Sequence, residues 1–275
     1  MAAPEHHGLA SGRPAAFFDL DKTIIAKSST LAFSKSFYRG GLISRGSVLR
    51  SAYAQFVYLI GGADHDQMEK MREFLSGLSA GWEVQTVREI VADTLHNIVD
   101  PLVYDEAVCL IEEHHLAGRD VIIVSTSGLE VVEPIGEMLG ADRVIATRME
   151  VEDGRYTGEI GFYAYADNKA IAIRELAEQV GYDLDRSYAY SDSATDVHML
   201  EIVGHPCAVN PDRELRRVAT GRGWPTLVFN KPVGLRSRVR LPAGKPTLAA
   251  LALGTAAAFG GAVYLGARRA MDRNG

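Results

Sequence analysis

From Ala15 to Leu20 the chain reads AAFFDL, a short apolar and aromatic run between Pro14 and the charged pair Asp21 and Lys22. That pattern predicts a strand buried on both faces, as in a parallel sheet. Comparable runs occur at Val121 to Val124, around Val144 to Ala146, up to Tyr190 and around Ala208 to Val209. Helical periodicity fills the intervals at Leu102 to Leu116, Glu130 to Leu139, Asn168 to Val180 and Thr195 to Val203. Strand and helix in alternation predict an α/β fold, a Rossmann-like parallel sheet with helices on both faces.

Three stretches depart from that alternation. Residues 28–99 contain no clear buried strand and read as several helices broken by Gly40 and Gly41 and by Gly61 and Gly62, a helical cap inserted after the first strand. Arg148 to Ile160 alternates around Asp153 and Gly154, the signature of a β-hairpin. Beyond a further short strand within Trp224 to Phe229, residues 247–267 run without a charge. As a helix that segment is about 31 Å long, close to the hydrocarbon thickness of a bilayer. The resulting division is a flexible amino terminus (1–13), a catalytic core (14–27 and 100–231), the cap (28–99), a basic linker (232–246), a transmembrane helix (247–267) and a tail (268–275).

Composition adds limits. With 275 residues, 47% of them hydrophobic and 23% charged, the chain is neither disordered nor a disulfide-built miniprotein. Cys109 and Cys207 lie far apart and offer no zinc spacing. The net charge of −6 is divided, because residues 233–275 carry seven basic side chains against Asp272. The remainder is therefore at −12, which excludes the basic face of a nucleic-acid binder. No amino-terminal signal peptide is evident, so the core is expected in the cytoplasm, anchored to the cell membrane by the carboxyl-terminal helix.

Four elements carry chemistry. Asp19 and Asp21 lie two apart at the end of the first strand, which on an extended backbone directs both to one side, at the edge where open α/β sheets bind ligands. Ser125 and Thr126 follow the buried run Val121 to Val124 and precede a helix, a position suited to an anion, although hydroxyls there also serve as ordinary caps. Lys169 falls in the first turn of a helix, where the dipole disfavours a cation and a facing carboxylate or phosphate would compensate. In YAYSDSATD, Asp192 adds a third carboxylate at the same edge and Asp196 opens the next helix. Three carboxylates in one place require a cation, and oxygen ligands near phosphate suit Mg²⁺.

In this order, across about 180 residues, the four motifs resemble the haloacid dehalogenase superfamily of phosphohydrolases. A helical insertion directly after the first motif resembles the branch that includes phosphoserine phosphatases. The resemblance implies Asp19 as nucleophile and Asp21 as general acid and base, its backbone carbonyl helping to bind the metal. It implies Ser125 and the Thr126 amide as the phosphate cradle, Lys169 as the charge that steadies Asp19, Asp192 as a ligand of Mg²⁺ and Asp196 as its support. Mg²⁺ would thus be held by Asp19, Asp21 and Asp192.

Two departures matter. Ser191 stands where many relatives have glycine, which is expected to loosen the turn. Asp21, Lys22 and Thr23 also echo the phosphorylated loop of ion-pumping ATPases, a register that would make Asp21 the nucleophile and put Thr23 in the acid–base position. Ile24 in place of that loop's glycine, and the lack of many membrane spans, reject it.

The expected substrate is a small phosphorylated metabolite, phosphoserine-like, or a phosphorylated lipid. In the cap, Arg39, Arg45 and Arg50 precede the apolar run Ala52 to Ile60, where Tyr53, Phe56, Val57 and Ile60 have the spacing of a cap core. The other class of function is a noncatalytic membrane-tethered binding protein of the same fold. Loss of Asp19, Asp21, Lys169 or Asp192 would be its sign, and all four are present.

Overall fold

A computed structural model describes residues 12–43, 77 and 79–230. Its centre is a seven-stranded sheet in the order β4-β3-β2-β1-β5-β6-β7. The strands are β1 (Ala15–Phe18), β2 (Asp120–Gly128), β3 (Arg143–Glu152), β4 (Arg155–Phe162), β5 (Tyr188–Ser191), β6 (His205–Val209) and β7 (Thr226–Leu227). All neighbours pair in parallel except β3 with β4. The chain builds outward from β1 to β2 and β3 on one side and to β5, β6 and β7 on the other. The carboxyl end of β1 is thus the switch point of the sheet, where no helix crosses and a ligand cleft can open.

Alternate residues of β1 and β2 enter two separate cores, as the period of two requires. Ala16, Phe18, Val121 and Ile123 pack with α1 (Ser29–Arg39), α2 (Val84–Val99), α3 (Asp105–Leu116) and α4 (Leu129–Leu139). Ala15, Phe17, Ile122 and Val124 pack with α5 (Asp167–Val180), α6 (Val197–Glu201) and α7 (Arg213–Arg222). Burial on both faces is the physical reason these strands read as continuous apolar runs rather than alternating ones. At β1, Arg13 pairs with Asp120 at 2.7 Å and lies over the Tyr182 ring, which ties the start of the described chain to the core.

The inserted segment begins and ends in helices. Helix α1 starts at Ser29 and stops at Gly40, as the glycine pair predicts, and α2 packs against both α1 and α4. One part of the insertion is extended: Trp82 and Glu83 add to the hairpin, with bonds from Tyr156 N to Trp82 O (3.0 Å) and from Gly81 N to Tyr156 O (2.8 Å). The hairpin turn itself has φ 49° at Asp153 and 75° at Gly154, the paired positive angles that an Asp-Gly turn of this kind needs.

Two sequence readings change. The third strand and the first arm of the hairpin are one element, β3, parallel to β2 up to Thr147 and antiparallel to β4 from Arg148 onward. Strand β2 runs four residues past Val124, so Ser125 to Gly128 are extended and helix α4 begins only at Leu129. Among the described residues no helix is long and apolar enough to cross a membrane. The expected membrane helix at 247–267, the linker and tail around it, and the cap residues Arg45, Arg50, Tyr53, Phe56, Val57 and Ile60 lie outside the described residues.

Candidate active site

Asp19 is the first residue beyond β1. Its N–H donates to Tyr190 O at 2.9 Å, so the pairing of β1 with β5 continues one step and holds the backbone still beneath the carboxylate. From the first turn of α5, Lys169 reaches over the sheet edge, its Nζ 2.7 Å from Asp19 Oδ1 and 2.9 Å from Asp196 Oδ2. Lys169 is 2% exposed and Asp19 6%. Burial works against the ammonium, but Asp19 and Asp196 outweigh it, and its pKa lies above the ordinary lysine value. The cation at the unfavourable end of a helix is therefore compensated by carboxylates, one of the two readings its position allowed.

Ser191 corrects an expectation. Its Oγ donates to Asp196 Oδ2 at 2.7 Å and accepts the Ser193 N–H at 3.2 Å, so the hydroxyl tightens the turn after β5. Asp196 receives both Ser191 and Lys169, a buried carboxylate that orients the lysine. Asp192 lies in the same turn. No hydrogen-bond donor among the described residues reaches its carboxylate, while its backbone carbonyl accepts the Asp212 N–H at 2.8 Å. Asp212 in turn caps α7 through Leu215 N and holds Ala194 N, fixing the loop from the far side.

The structure separates Asp21 from the other carboxylates. Sequence spacing placed Asp19 and Asp21 on one side of an extended strand, but β1 ends at Phe18, so both lie beyond the strand, and Asp21 directly precedes a left-handed Lys22 with φ 64°. The Asp21 carboxylate accepts the Ser29 N–H at 2.8 Å on Oδ1 and the Ser127 hydroxyl at 3.3 Å on Oδ2. Ser125 is buried, and its Oγ accepts the Ser127 N–H at 3.2 Å. The Thr126 hydroxyl donates to Ala164 O at 2.9 Å, which commits its side chain to the loop before α5. Ser29 and Ser127 were not singled out from sequence, where both read as ordinary residues beside a helix start. Thr23 is 0% exposed, and its hydroxyl has no hydrogen-bond partner in the described structure, which leaves it no route to a substrate.

Electrostatics favour an added cation. Burial first, then Asp196 and Asp192, push the Asp19 carboxyl up to about 8 against the pull of Lys169. Asp192 is pushed up to about 7 by burial, with Asp196 and Asp212 adding and Lys22 opposing. Asp21 is also raised, by burial, against bonds from Ser29 and Ser127. Among the described residues no group of three or more His, Cys, Asp or Glu side chains is arranged to hold a metal ion, and the Asp21 carboxylate is engaged by Ser29 and Ser127. What remains at this edge is two carboxylates, Asp19 and Asp192, the second with no hydrogen-bond donor among the described residues. That all-oxygen set fits a hard cation such as Mg²⁺, which keeps several waters of its own.

A mostly parallel sheet whose switch point gathers buried carboxylates around a buried lysine suits an α/β enzyme of phosphoryl transfer. The sequence profile of the haloacid dehalogenase-like hydrolases matches residues 16–201, and the chain belongs to that family. The "Inhibition of morphological differentiation protein" of Streptomyces azureus is 66% identical over 269 residues, which covers 96% of each chain. A Mycobacterium tuberculosis protein named "Probable phosphatase" is 59% identical, covering 91% of this chain and 88% of its own. A phosphoserine phosphatase of the same species is 32% identical over 86% of this chain and 80% of its own. The protein is a phosphatase of this family.

Proposed function

We propose that the protein is a Mg²⁺-dependent phosphomonoester hydrolase that works through an aspartyl phosphate on Asp19 and acts on a small, phosphoserine-like phosphorylated metabolite. The contact that carries this reading is the Lys169 ammonium against Asp19 at 2.7 Å, at the carboxyl end of the central strand. An Asp19 oxygen attacks phosphorus, and the bond from phosphorus to the ester oxygen breaks. Asp21 gives its proton to the departing alkoxide, then takes one from the water that attacks the phosphoryl group, releasing phosphate and free Asp19. Lys169 pulls Asp19 toward its ionised form and faces the negative charge that gathers on the phosphoryl oxygens, while Ser125 and the Thr126 amide hold those oxygens. A bound Mg²⁺, held by Asp19, Asp192 and the Asp21 carbonyl, would neutralise phosphoryl charge. The 32% identical phosphoserine phosphatase supports a small phosphorylated metabolite. The charge-free segment 247–267 supports a tether that keeps the catalytic part at the cytoplasmic face of a membrane.

The test uses the full-length chain with 4-nitrophenyl phosphate. Turnover should require Mg²⁺ and vanish on exhaustive chelation, Asp19→Asn should be inactive while folded, and rapid quenching should place the phosphoryl group on Asp19. Undiminished turnover after chelation, or label found on Asp21, would overturn the mechanism. A panel of phosphorylated amino acids, sugars and lysolipids ranks the substrate class, and a clear preference for lysolipids would replace the small-metabolite reading.

A further inference from the structure

We propose that Ser29 and Ser127 are positioning residues that aim the Asp21 carboxyl for proton transfer to the leaving group, and that they tie it to the helix which opens the inserted segment. The proposal rests on the reading of Asp21 as the general acid, and on contacts between residues far apart in sequence. Ser29 N donates to Asp21 Oδ1 at 2.8 Å and Ser127 Oγ donates to Oδ2 at 3.3 Å, so each carboxyl oxygen has its own partner. Ser127 Oγ also lies 2.7 Å from Ser29 Oγ and 3.1 Å from Thr30 Oγ1. Ser29 is fully buried and Ser127 nearly so, which leaves little water to compete for these bonds.

Donor bookkeeping assigns the directions. A hydroxyl has one proton and two lone pairs. With the Ser127 proton on Asp21, its lone pairs are free to accept the Ser29 and Thr30 hydroxyls, and the Ser29 hydroxyl also lies within reach of the Asp21 carboxylate. The Ser29 amide can only donate, so Oδ1 acts as an acceptor in either protonation state, whereas the Ser127 hydroxyl can turn to accommodate a proton on Oδ2. The amide itself is one of the four at a helix start that lack an intrahelical acceptor, and Asp21 supplies one. Because Ser29 and Thr30 form the first turn of α1, the acid–base group is attached to the stem of the insertion rather than to the sheet alone.

Leaving-group dependence distinguishes aim from general support. An aryl phosphate such as 4-nitrophenyl phosphate releases a stable phenolate with little need of a proton, whereas an alkyl phosphate must have its oxygen protonated. The measurement is kcat/KM, which reports the steps through leaving-group departure, on 4-nitrophenyl phosphate and on the best alkyl phosphate of the substrate panel. Ser127→Ala should lower the alkyl value by about 10²-fold and the aryl value by less than about 3-fold, within the range general acid catalysis supplies. Ser127→Thr, which restores the hydroxyl, should recover most of the alkyl loss.

Ser29→Pro removes the amide proton at the first helical position, where proline is tolerated, and the preceding Ser28 already has φ −65° and ψ 127°, the extended geometry a following proline needs. It should match Ser127→Ala, whereas Ser29→Ala, which keeps the amide, should lose less than about 5-fold on the alkyl substrate. Should Ser29→Pro fail to fold, judged by circular dichroism, the Ser127 pair carries the comparison. Equal losses on both substrates in the serine variants, with Asp21→Asn still discriminating between them, would overturn the positioning role alone. If Asp21→Asn does not discriminate either, the general-acid reading falls first and takes this one with it.

Discussion

His114 should make the protein lose stability in mild acid, and the size of the effect follows from where it sits. It belongs to α3 and is 1% exposed, packed edge-on against Phe18 (centroids 5.7 Å apart) and against Tyr188 and Tyr190. Arg119 Nε donates to its Nδ1 at 2.6 Å, which leaves the ring proton on Nε2 facing the Tyr190 hydroxyl at 2.9 Å. Burial first, then Arg119 and His115, lower its pKa from 6.5 to about 3. The native state thus refuses a proton that the unfolded chain accepts once pH drops below about 6.5. For such a group the unfolded state binds more protons through the window, so stability rises with pH, is intact above the unfolded value and is lost as pH falls. Between about pH 7 and about pH 5 the loss is about 2 kcal/mol, from about 1.36 kcal/mol per pKa unit.

The wild type alone cannot report this number. Asp19 and Asp192 have raised values, so the native state binds protons there before the unfolded chain does, and acidification stabilises it through those groups. A His114→Leu variant shares those carboxylates and lacks only the histidine. It should be less stable near pH 7 by about 1–3 kcal/mol for the lost partners of Tyr190 and Arg119. That deficit should shrink by about 2 kcal/mol near pH 5. Urea unfolding of both proteins at the two pH values, with chelator present, measures the difference. A deficit that stays constant within about 0.3 kcal/mol would refute a neutral, uncharged His114.

Three other outcomes are expected. Lys169→Met should abolish turnover and lower unfolding free energy by about 3–5 kcal/mol near neutral pH, because Asp19 and Asp196 lose their shared partner in a buried site; a folded variant of wild-type stability would contradict the ion-pair geometry. Gly204→Ala should lower the thermal midpoint without changing activity per folded molecule, since the added Cβ would lie 1.7 Å from the Asp185 carbonyl oxygen and one backbone must move; an unchanged midpoint would show that the loop yields freely. Full-length protein should pellet with membranes and resist salt extraction if residues 247–267 anchor it, and recovery in the soluble fraction without detergent would remove the tether.

Asp19, Lys169, Asp192 and Asp196 were legible because each lies just beyond a strand or at the start of a helix, and those boundaries follow from apolar period alone, whereas Ser125 proved to lie inside β2. The direction of the Asp21 carboxylate was not legible. It is set by bonds from Ser29 and Ser127, which local spacing does not reveal, and nothing in the letters Asp, Lys and Thr announces the left-handed Lys22 that follows. The seam in β3 was hidden for a related reason: strand partners are set by distant segments, so one continuous strand that pairs in parallel and then antiparallel looks like two. Hydroxyls were the least visible of all. Ser29 and Ser127 meet across 98 positions, and at each end a serine beside a helix start has an ordinary local role to explain it. Ser191 misled in the same way, because the absence of glycine was legible whereas the bond its Oγ makes to Asp196 was not.

Charge balance argues for the cation more strongly than the list of oxygen donors does. Lys169 is shared between Asp19 and Asp196, and with both bonds made it neutralises only one of the two charges it touches. Asp192 has no hydrogen-bond donor among the described residues, so with its carboxylates ionised the buried edge holds more negative than positive charge before any substrate arrives. A phosphate monoester brings up to two more negative charges into that same place. Ser125 and the amides beside it offer dipoles, which orient an anion but do not cancel its charge. Without a further cation the raised values at Asp19 and Asp192 would rise again on binding, and a protonated Asp19 is no nucleophile. Substrate and divalent ion should therefore bind with positive coupling. The apparent KM for 4-nitrophenyl phosphate should fall as Mg²⁺ rises, and a KM independent of Mg²⁺ while kcat alone responds would show that the edge accepts phosphate by other means.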